Sequence, residues 1–367
     1  MKKTLTLGDS GVEHLILKGS PTPGFKTLQV TTEVDGKEYT NLIKIAFSPD
    51  KLAPTTPLPK DFTRYWDKCI AKAREVPLEP KFTRRPQYDN AFADVYEVRF
   101  ENAAKGCYLY GMLAVPKGVC PTDTVATRQY PAVILWPGAG VKAHRGDVNF
   151  FPEHGVITLE MGIHGIPVSY DDDIYADLRA NALNKYSAIL SPDRNRYYYN
   201  KVYVGTVKTV DLLCTLPCVD AGRIGCYGGS QGGALSTINA ALDARIRCAA
   251  ISYPALSEIG GYARGRADGW PHLFRVDEVG ETEEALLQVA DYYDVINFAR
   301  QIKTCKVLFF LGFNDVVCCP TSTYTAWNAL PRENKHKQLV LMQESGHWMH
   351  ADYQHDRREW LLEQLTK

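Results

Sequence analysis

The sequence predicts an α/β protein: an eight-stranded, mostly parallel sheet with helices on both faces, preceded by a small N-terminal β-module. Three observations carry this. From about residue 90 onward, short apolar runs alternate with segments of helical period, as in strands buried on both faces and joined by crossover helices. Two leading runs, Asp94–Phe100 and Cys107–Val115, alternate at period two and read as antiparallel strands. Residues 1–48 hold only strand-like runs, punctuated by the hairpin dipeptide Asp35-Gly36.

In chain order, His14–Lys18, Thr27–Val34 and Asn41–Phe47 are the strands of the module, which occupies residues 1–50 and reads as part of a sandwich. Residues 51–88 read as a linker followed by a helix packed on the main domain. That helix opens near Pro59, which suits a first turn, and puts Phe62, Trp66, Cys69, Ile70 and Ala73 on one stripe. The main domain, 89–367, continues with six parallel strands: Ala132–Trp136, Val156–Glu160, Arg223–Tyr227, Arg247–Ser252, Lys306–Gly312 and Gln338–Gln343. Helices are expected near 200–216, 231–243, 288–302, 321–330 and 352–366. The connection 254–287 is far longer than the usual two to six residues and reads as an insertion over the site.

Of 367 residues, 45% are hydrophobic and 23% charged, an ordinary globular balance. Lys+Arg and Asp+Glu both number 42, so no basic excess points to nucleic acid or an anionic membrane as partner. No run approaches the roughly 18 apolar residues of a membrane span. The start, Met1-Lys2-Lys3-Thr4, lacks the apolar core of an export signal, so the chain as it stands is expected in the cytoplasm, and in the periplasm if this start is a truncation. The ten cysteines include no CxxC pair, which leaves no expected metal site, and most thiols read as reduced.

The sharpest chemical signal is Gly228-Gly229-Ser230-Gln231-Gly232. It follows a predicted strand and opens a predicted helix, the setting a nucleophilic serine needs: a tight turn flanked by small residues, with a helix N-terminus to favour developing negative charge. The same logic places an acid after a later strand and a histidine after the last one. Asp315 directly follows Lys306–Gly312, and His347 directly follows Gln338–Gln343. Ser230, Asp315 and His347 are therefore the expected catalytic triad, with His350 the nearest rival for the base. An acyl-transfer site also needs oxyanion donors. The backbone N–H groups of Gln231 and of Ala139, in Trp136-Pro137-Gly138-Ala139-Gly140, are the expected pair, Gly138 being the alternative to Ala139. In the insertion, Trp270 and His272 are candidate substrate contacts; Trp270 either stacks on a sugar ring or only packs a cap. Trp348, beside the catalytic histidine, is a candidate wall of the acyl site together with Trp136. His164 follows a strand end and reads as a loop residue.

From about residue 55 to the end, the chain resembles the acetyl xylan esterase and cephalosporin C deacetylase family (carbohydrate esterase family seven) of the α/β-hydrolase superfamily. The resemblance rests on Leu58–Trp66 with Ala73–Pro80, on the Gly-Gly-Ser-Gln-Gly elbow, on Gly312–Ser322 and on Gly346-His347. It implies an α/β-hydrolase fold and a serine esterase that removes O-acetyl groups from acetylated xylan-derived or related oligosaccharides through an acyl-enzyme, with no cofactor and no metal. It carries the triad onto Ser230, Asp315 and His347 and the oxyanion-loop position onto Ala139, and it implies a homo-oligomer. The partner expected is thus a small acetylated carbohydrate. There are departures: the family's His-Gly-Tyr is Pro137-Gly138-Ala139 here, Ile163-His164-Gly165 stands near the place of its Arg-Gly-Gln, and its His-Glu is His347-Trp348. Rival readings are a serine peptidase of the prolyl oligopeptidase type, a general short-chain esterase, and a carbohydrate-binding module with a vestigial hydrolase domain.

Overall fold

A computed structural model describes residues 3–6, 8–16, 18–125, 128–266, 268–274 and 284–367. The chain forms two compact units, Met1–Leu52 and Ala53–Lys367. The first is a two-stranded antiparallel ribbon, β1 (Gly24–Val34) and β2 (Lys37–Phe47). Asp35 and Gly36 close it at φ 54° and 74°, the left-handed pair that a two-residue turn between right-twisted strands requires. Leu28 pairs with Ile43, and Val30 and Ile45 lie on the same face, so the ribbon is amphipathic. The expected third strand at His14–Lys18 does not form: the described residues of that stretch carry no ladder, so the module is a hairpin rather than part of a sandwich. A short apolar run makes a strand only where a neighbour offers a hydrogen-bonding edge.

In the second unit, nine strands form one sheet among the described residues. They are β3 (Lys81–Arg84), β4 (Ala93–Glu101), β5 (Tyr108–Pro116), β6 (Tyr130–Leu135), β7 (Ile157–Met161), β8 (Val219–Gly229), β9 (Ile246–Ser252), β10 (Lys306–Gly312) and β11 (Lys337–Met342). Their order is β11-β10-β9-β8-β6-β7-β5-β4-β3. The strands from β7 to β11 in that order are parallel, and β5, β4 and β3 extend the sheet antiparallel. This is the α/β-hydrolase sheet the sequence implies, with one strand more than the expected eight. The extra edge strand is Lys-Phe-Thr-Arg, with one apolar residue in four, so no periodicity marks it. It falls near the end of residues 51–88, the stretch read as linker and packed helix, and ties that end into the sheet.

The central parallel strands carry apolar residues on both faces because alternate residues feed two separate cores. Ile134, Cys226, Ile251 and Phe309 face one, and Val133, Tyr227, Ala250 and Phe310 the other. The first core is covered by α1 (Phe62–Arg74), α4 (Tyr199–Thr215), α5 (Gln231–Leu242), α6 (Glu284–Tyr293), α7 (Val295–Ala299) and α8 (Pro320–Ala329). The second lies beneath α9 (Ala351–Thr366) and the single turn α2 (Phe150–Glu153). The helix expected over 288–302 is two helices. Asp294 interrupts it, its carboxylate accepting the Ile296 N–H at 3.0 Å as the cap of α7 and the Thr56 hydroxyl at 2.8 Å. A further helix, α3 (Asp172–Ala180), lies in the long connection after β7.

No disulfide joins any of the ten cysteines. Among the described residues, no helix is long and apolar enough to cross a membrane. The chain leaves β6 toward β7 on one side and returns as β8 on the other. The carboxyl ends of β6 and β8 therefore face each other where the strand order reverses, the crevice in which α/β sheets bind ligands.

Candidate active site

Ser230 stands between the end of β8 and the first residue of α5, at φ 57° and ψ −121°. A non-glycine residue holds that conformation only when its surroundings over-determine it. Here the Ser230 N–H donates to Ser252 O at 3.1 Å, and its carbonyl accepts from Ala234 and Ala255, both at 3.0 Å. The flanking glycines are steric requirements. A Cβ on Gly228 would lie 2.6 Å from the Gly232 backbone, and one on Gly232 would lie 2.2 Å from Trp136 O.

His347 links the serine to the acid. Its Nε2 is 3.0 Å from Ser230 Oγ, and its Nδ1 is 2.8 Å from Asp315 Oδ2. In the tautomer protonated at Nδ1, the imidazole donates to Asp315 and accepts from the Ser230 hydroxyl. Asp315 is fully buried, and its other oxygen accepts the N–H groups of Val317 and Cys318 at 2.8 and 2.9 Å. The acid turn is stitched to the histidine turn: Asn314 N–H donates to Ser345 O at 3.0 Å, and the Asn314 side-chain amide to Gln343 O at 2.8 Å. The Tyr253 ring lies 5.1 Å from the imidazole. Burial pushes the Cys318 thiol, adjacent to Ser230 and Asp315, well above the usual thiol range.

The loop after β6 faces the elbow: a Cβ on Gly138 would sit 3.8 Å from Gly229 O. Gln231 holds this loop with its side chain, which is entirely buried. Its Nε2 donates to Pro137 O and Gly138 O, both at 3.3 Å, and its Oε1 accepts the hydroxyls of Tyr186 and Tyr199, both at 2.8 Å. Tyr186 also accepts the Gly140 N–H at 3.1 Å. His164 joins the same clamp: Nε2 meets Gly140 O at 2.9 Å and Nδ1 meets the Tyr198 hydroxyl at 2.7 Å. Burial holds the His164 pKa below the ordinary histidine value, which favours the neutral ring that donates at one nitrogen and accepts at the other. Ala139 stands exposed at the tip of the clamped loop.

The sequence marks His164 only as a loop residue and gives Tyr186 and Tyr199 no role. The clustered tyrosines Tyr197-Tyr198-Tyr199 were the available signal. Trp270 packs partly buried against the main core, and His272 meets the Tyr262 hydroxyl at 3.2 Å. The insertion reaches the triad region through Asp268 instead, which accepts the Cys319 N–H at 2.8 Å and the Ser322 hydroxyl, just beyond Asp315. Residues 267 and 275–283 of the insertion lie outside the described residues. Trp348 is 48% exposed, its ring 5.5 Å from that of His350. The rival base His350 lies at the start of α9, and the imidazole at Ser230 is that of His347.

Burial raises the Asp268 carboxyl from the ordinary aspartate range to about 6. A raised carboxyl contributes stability that is complete below its unfolded pKa and is lost as pH rises through its folded one. Asp268→Asn keeps an acceptor oxygen and does not titrate. The melting temperature of the variant minus that of the wild type should therefore climb between pH 4 and pH 6.5. A difference that stays flat across that window would show that the carboxyl is not buried as an acid.

The family described as "Acetyl xylan esterase (AXE1)" matches residues 49–365. An acetyl esterase of Xylanibacter ruminicola is 34% identical over 368 residues, covering 99% of this chain and 79% of that protein. Among solved structures, acetyl xylan esterase 1 of Thermoanaerobacterium sp. superposes with a TM-score of 0.71 at 24% identity, over 86% of this chain and 97% of that one. The acetyl xylan esterase of Paenibacillus sp. R4 gives 0.71 and 24% over 85% and 97%. At that identity the two structures speak for the fold.

Proposed function

The chain belongs to the acetyl xylan esterase family, and from that premise we propose that it removes O-acetyl groups from xylan-derived and related oligosaccharides, with Ser230, His347 and Asp315 as its catalytic triad. That it is a hydrolase of carbohydrate acetyl esters follows from the family itself. The observation that supports the residue assignment is the hydrogen-bonded chain from Ser230 Oγ through the imidazole to a buried carboxylate.

In this reading, Ser230 Oγ attacks the acetyl carbonyl carbon as His347 Nε2 takes its proton. The carbonyl oxygen, now negative, is received by the N–H groups of Gln231 and Ala139. As the intermediate collapses, Nε2 returns the proton to the departing sugar oxygen. Water then attacks the acetyl-serine by the same route and releases acetate. Asp315 keeps the imidazole in the tautomer that accepts from serine and stabilises its charged form. We also place the protein in a reducing compartment, supported by ten cysteines without a disulfide.

The test is turnover of acetylated xylo-oligosaccharides, followed by mass spectrometry, beside p-nitrophenyl acetate, p-nitrophenyl butyrate and a peptide anilide. Acetate should be released from the oligosaccharides. The acetate ester should exceed the butyrate ester clearly in kcat/KM, because a clash in a packed site outweighs the roughly 0.8 kcal/mol that each added buried methylene contributes. The anilide should be inert. Comparable turnover of the anilide would move the protein to the peptidases, and equal rates on acetate and butyrate to the general esterases.

A further inference from the structure

A cavity of about 290 Å³ adjoins the triad, at the carboxyl ends of β6, β7 and β8 and against α9. The triad mechanism does not use it. Gly229, Tyr253 and Met349 form its walls toward the catalytic groups, while Lys142, Glu160 and Arg357 give it charge. Its volume is near the lower end for small-ligand pockets, roughly 300 Å³, and is more than a lone carboxylate needs.

Arg357 carries the argument. Its Nη1 donates to Ser252 Oγ at 3.3 Å, and the guanidinium lies 5.0 Å from the centre of the Tyr227 ring. Its Nε is buried without a hydrogen-bond partner, and no carboxylate forms an ion pair with it among the described residues. A partly buried guanidinium with a buried donor left unpaired is costly unless an anion completes it. Burial accordingly pulls its pKa below the ordinary arginine value. Lys142 is a second cation on the same wall, exposed and without an ion pair among the described residues. The acidic residue of the lining, Glu160, is already occupied: it accepts the Gly146 N–H at 2.6 Å and meets His144 Nδ1 at 3.1 Å. The cavity therefore offers two cations that form no ion pair with a protein carboxylate among the described residues.

Its position indicates which part of a substrate would lie there. Ser252, which Arg357 holds through its hydroxyl, accepts the Ser230 N–H through its carbonyl. Tyr253 lies beside the imidazole, and Met349 follows it by two residues. Trp136, Pro137 and Gly138 of the loop after β6 line the cavity as well, so it runs from that loop to the imidazole side, where the departing alcohol is protonated and where an anion carried on the sugar portion would lie. We propose that this cavity is a carboxylate subsite in which Arg357 and Lys142 hold a uronic acid residue of the acetylated glycan whose ester lies over Ser230. This rests on the sugar-esterase reading above.

The test measures kcat/KM on two matched neutral and acidic substrates, an acetylated methyl glucoside and the correspondingly acetylated methyl glucuronoside. The wild type should prefer the glucuronoside about tenfold or more, the scale of a charge-assisted hydrogen bond. In Arg357→Gln that preference should collapse through KM, and in Lys142→Gln it should shrink severalfold. Equal rates on the two substrates, or an undiminished preference in Arg357→Gln, overturns the subsite. If Arg357→Gln fails to fold, the exposed Lys142→Gln still decides, together with inhibition of the wild type. Free glucuronate should inhibit p-nitrophenyl acetate hydrolysis competitively where methyl glucoside and acetate do not. Equal inhibition by acetate would assign the cavity to the product and overturn the proposal. If neither glycoside is deacetylated while p-nitrophenyl acetate is, the sugar-esterase reading itself falls and takes this one with it.

Discussion

Ser230→Ala is expected to lower acetyl-ester kcat by about 10⁴-fold or more while leaving the fold intact, because nucleophile, base and orienting acid act as one unit. Alanine carries the same Cβ at φ 57° and keeps the three backbone hydrogen bonds of the elbow, so stability should stay within about 1 kcal/mol of the wild type. No neighbour can substitute as nucleophile. Cys318 is adjacent, but burial raises its thiol, and a neutral thiol is a poor nucleophile. Kinetics on p-nitrophenyl acetate, paired with intact-protein mass spectrometry for the acetyl-enzyme, check this. More than a few per cent of residual activity, or an acetyl adduct on the variant, would remove Ser230 from the mechanism.

Gly232→Ala is expected to damage both stability and rate. The added methyl would lie 2.2 Å from Trp136 O and 3.0 Å from Trp136 C, and both are backbone atoms. Neither side gives way easily. Gly232 O is held by the Ser236 hydroxyl within α5, and Trp136 N–H is held by Tyr227 O across the sheet. The remaining relief is to push out the root of the 137–140 loop. Overpacking of this kind costs about 1–3 kcal/mol, occasionally more. Loss of an aligned oxyanion donor typically costs about 10²–10³ in kcat. Gly138→Ala is the control, since its Cβ would make only an ordinary 3.8 Å contact and should leave the melting temperature nearly unchanged. A Gly232→Ala enzyme with wild-type kcat and melting temperature would mean that the loop is not braced against the elbow.

The parts of the fold that could be read directly are those in which local pattern and tertiary role coincide. Lys306–Gly312 is apolar residue after residue because both its faces are buried, and its limits are the same in sequence and structure. Asp315 and His347 could be placed beside Ser230 because strand ends in this fold converge on one crevice. Where tertiary context decides, the pattern was silent. β3 is a strand only because β4 offers it an edge. The break at Asp294 depends on donors from Thr56 and Ile259, far away in the chain. In the insertion, aromatic Trp270 drew the eye, yet Asp268 two residues earlier makes the contact with the acid loop, through partners more than fifty residues distant.

The Gln231 clamp bears on how this enzyme can vary. One residue is used twice: its side chain fixes the loop through two carbonyls and two tyrosines, and its main chain is the proposed oxyanion donor. The fourth position of the elbow is therefore epistatic with Tyr186 and Tyr199. Losing either hydroxyl alone leaves Gln231 Oε1 with the other, while losing Gln231 removes the acceptor of both hydroxyl protons at once, so the effects of these substitutions cannot simply add. A lineage that changes this glutamine must change the tyrosines with it.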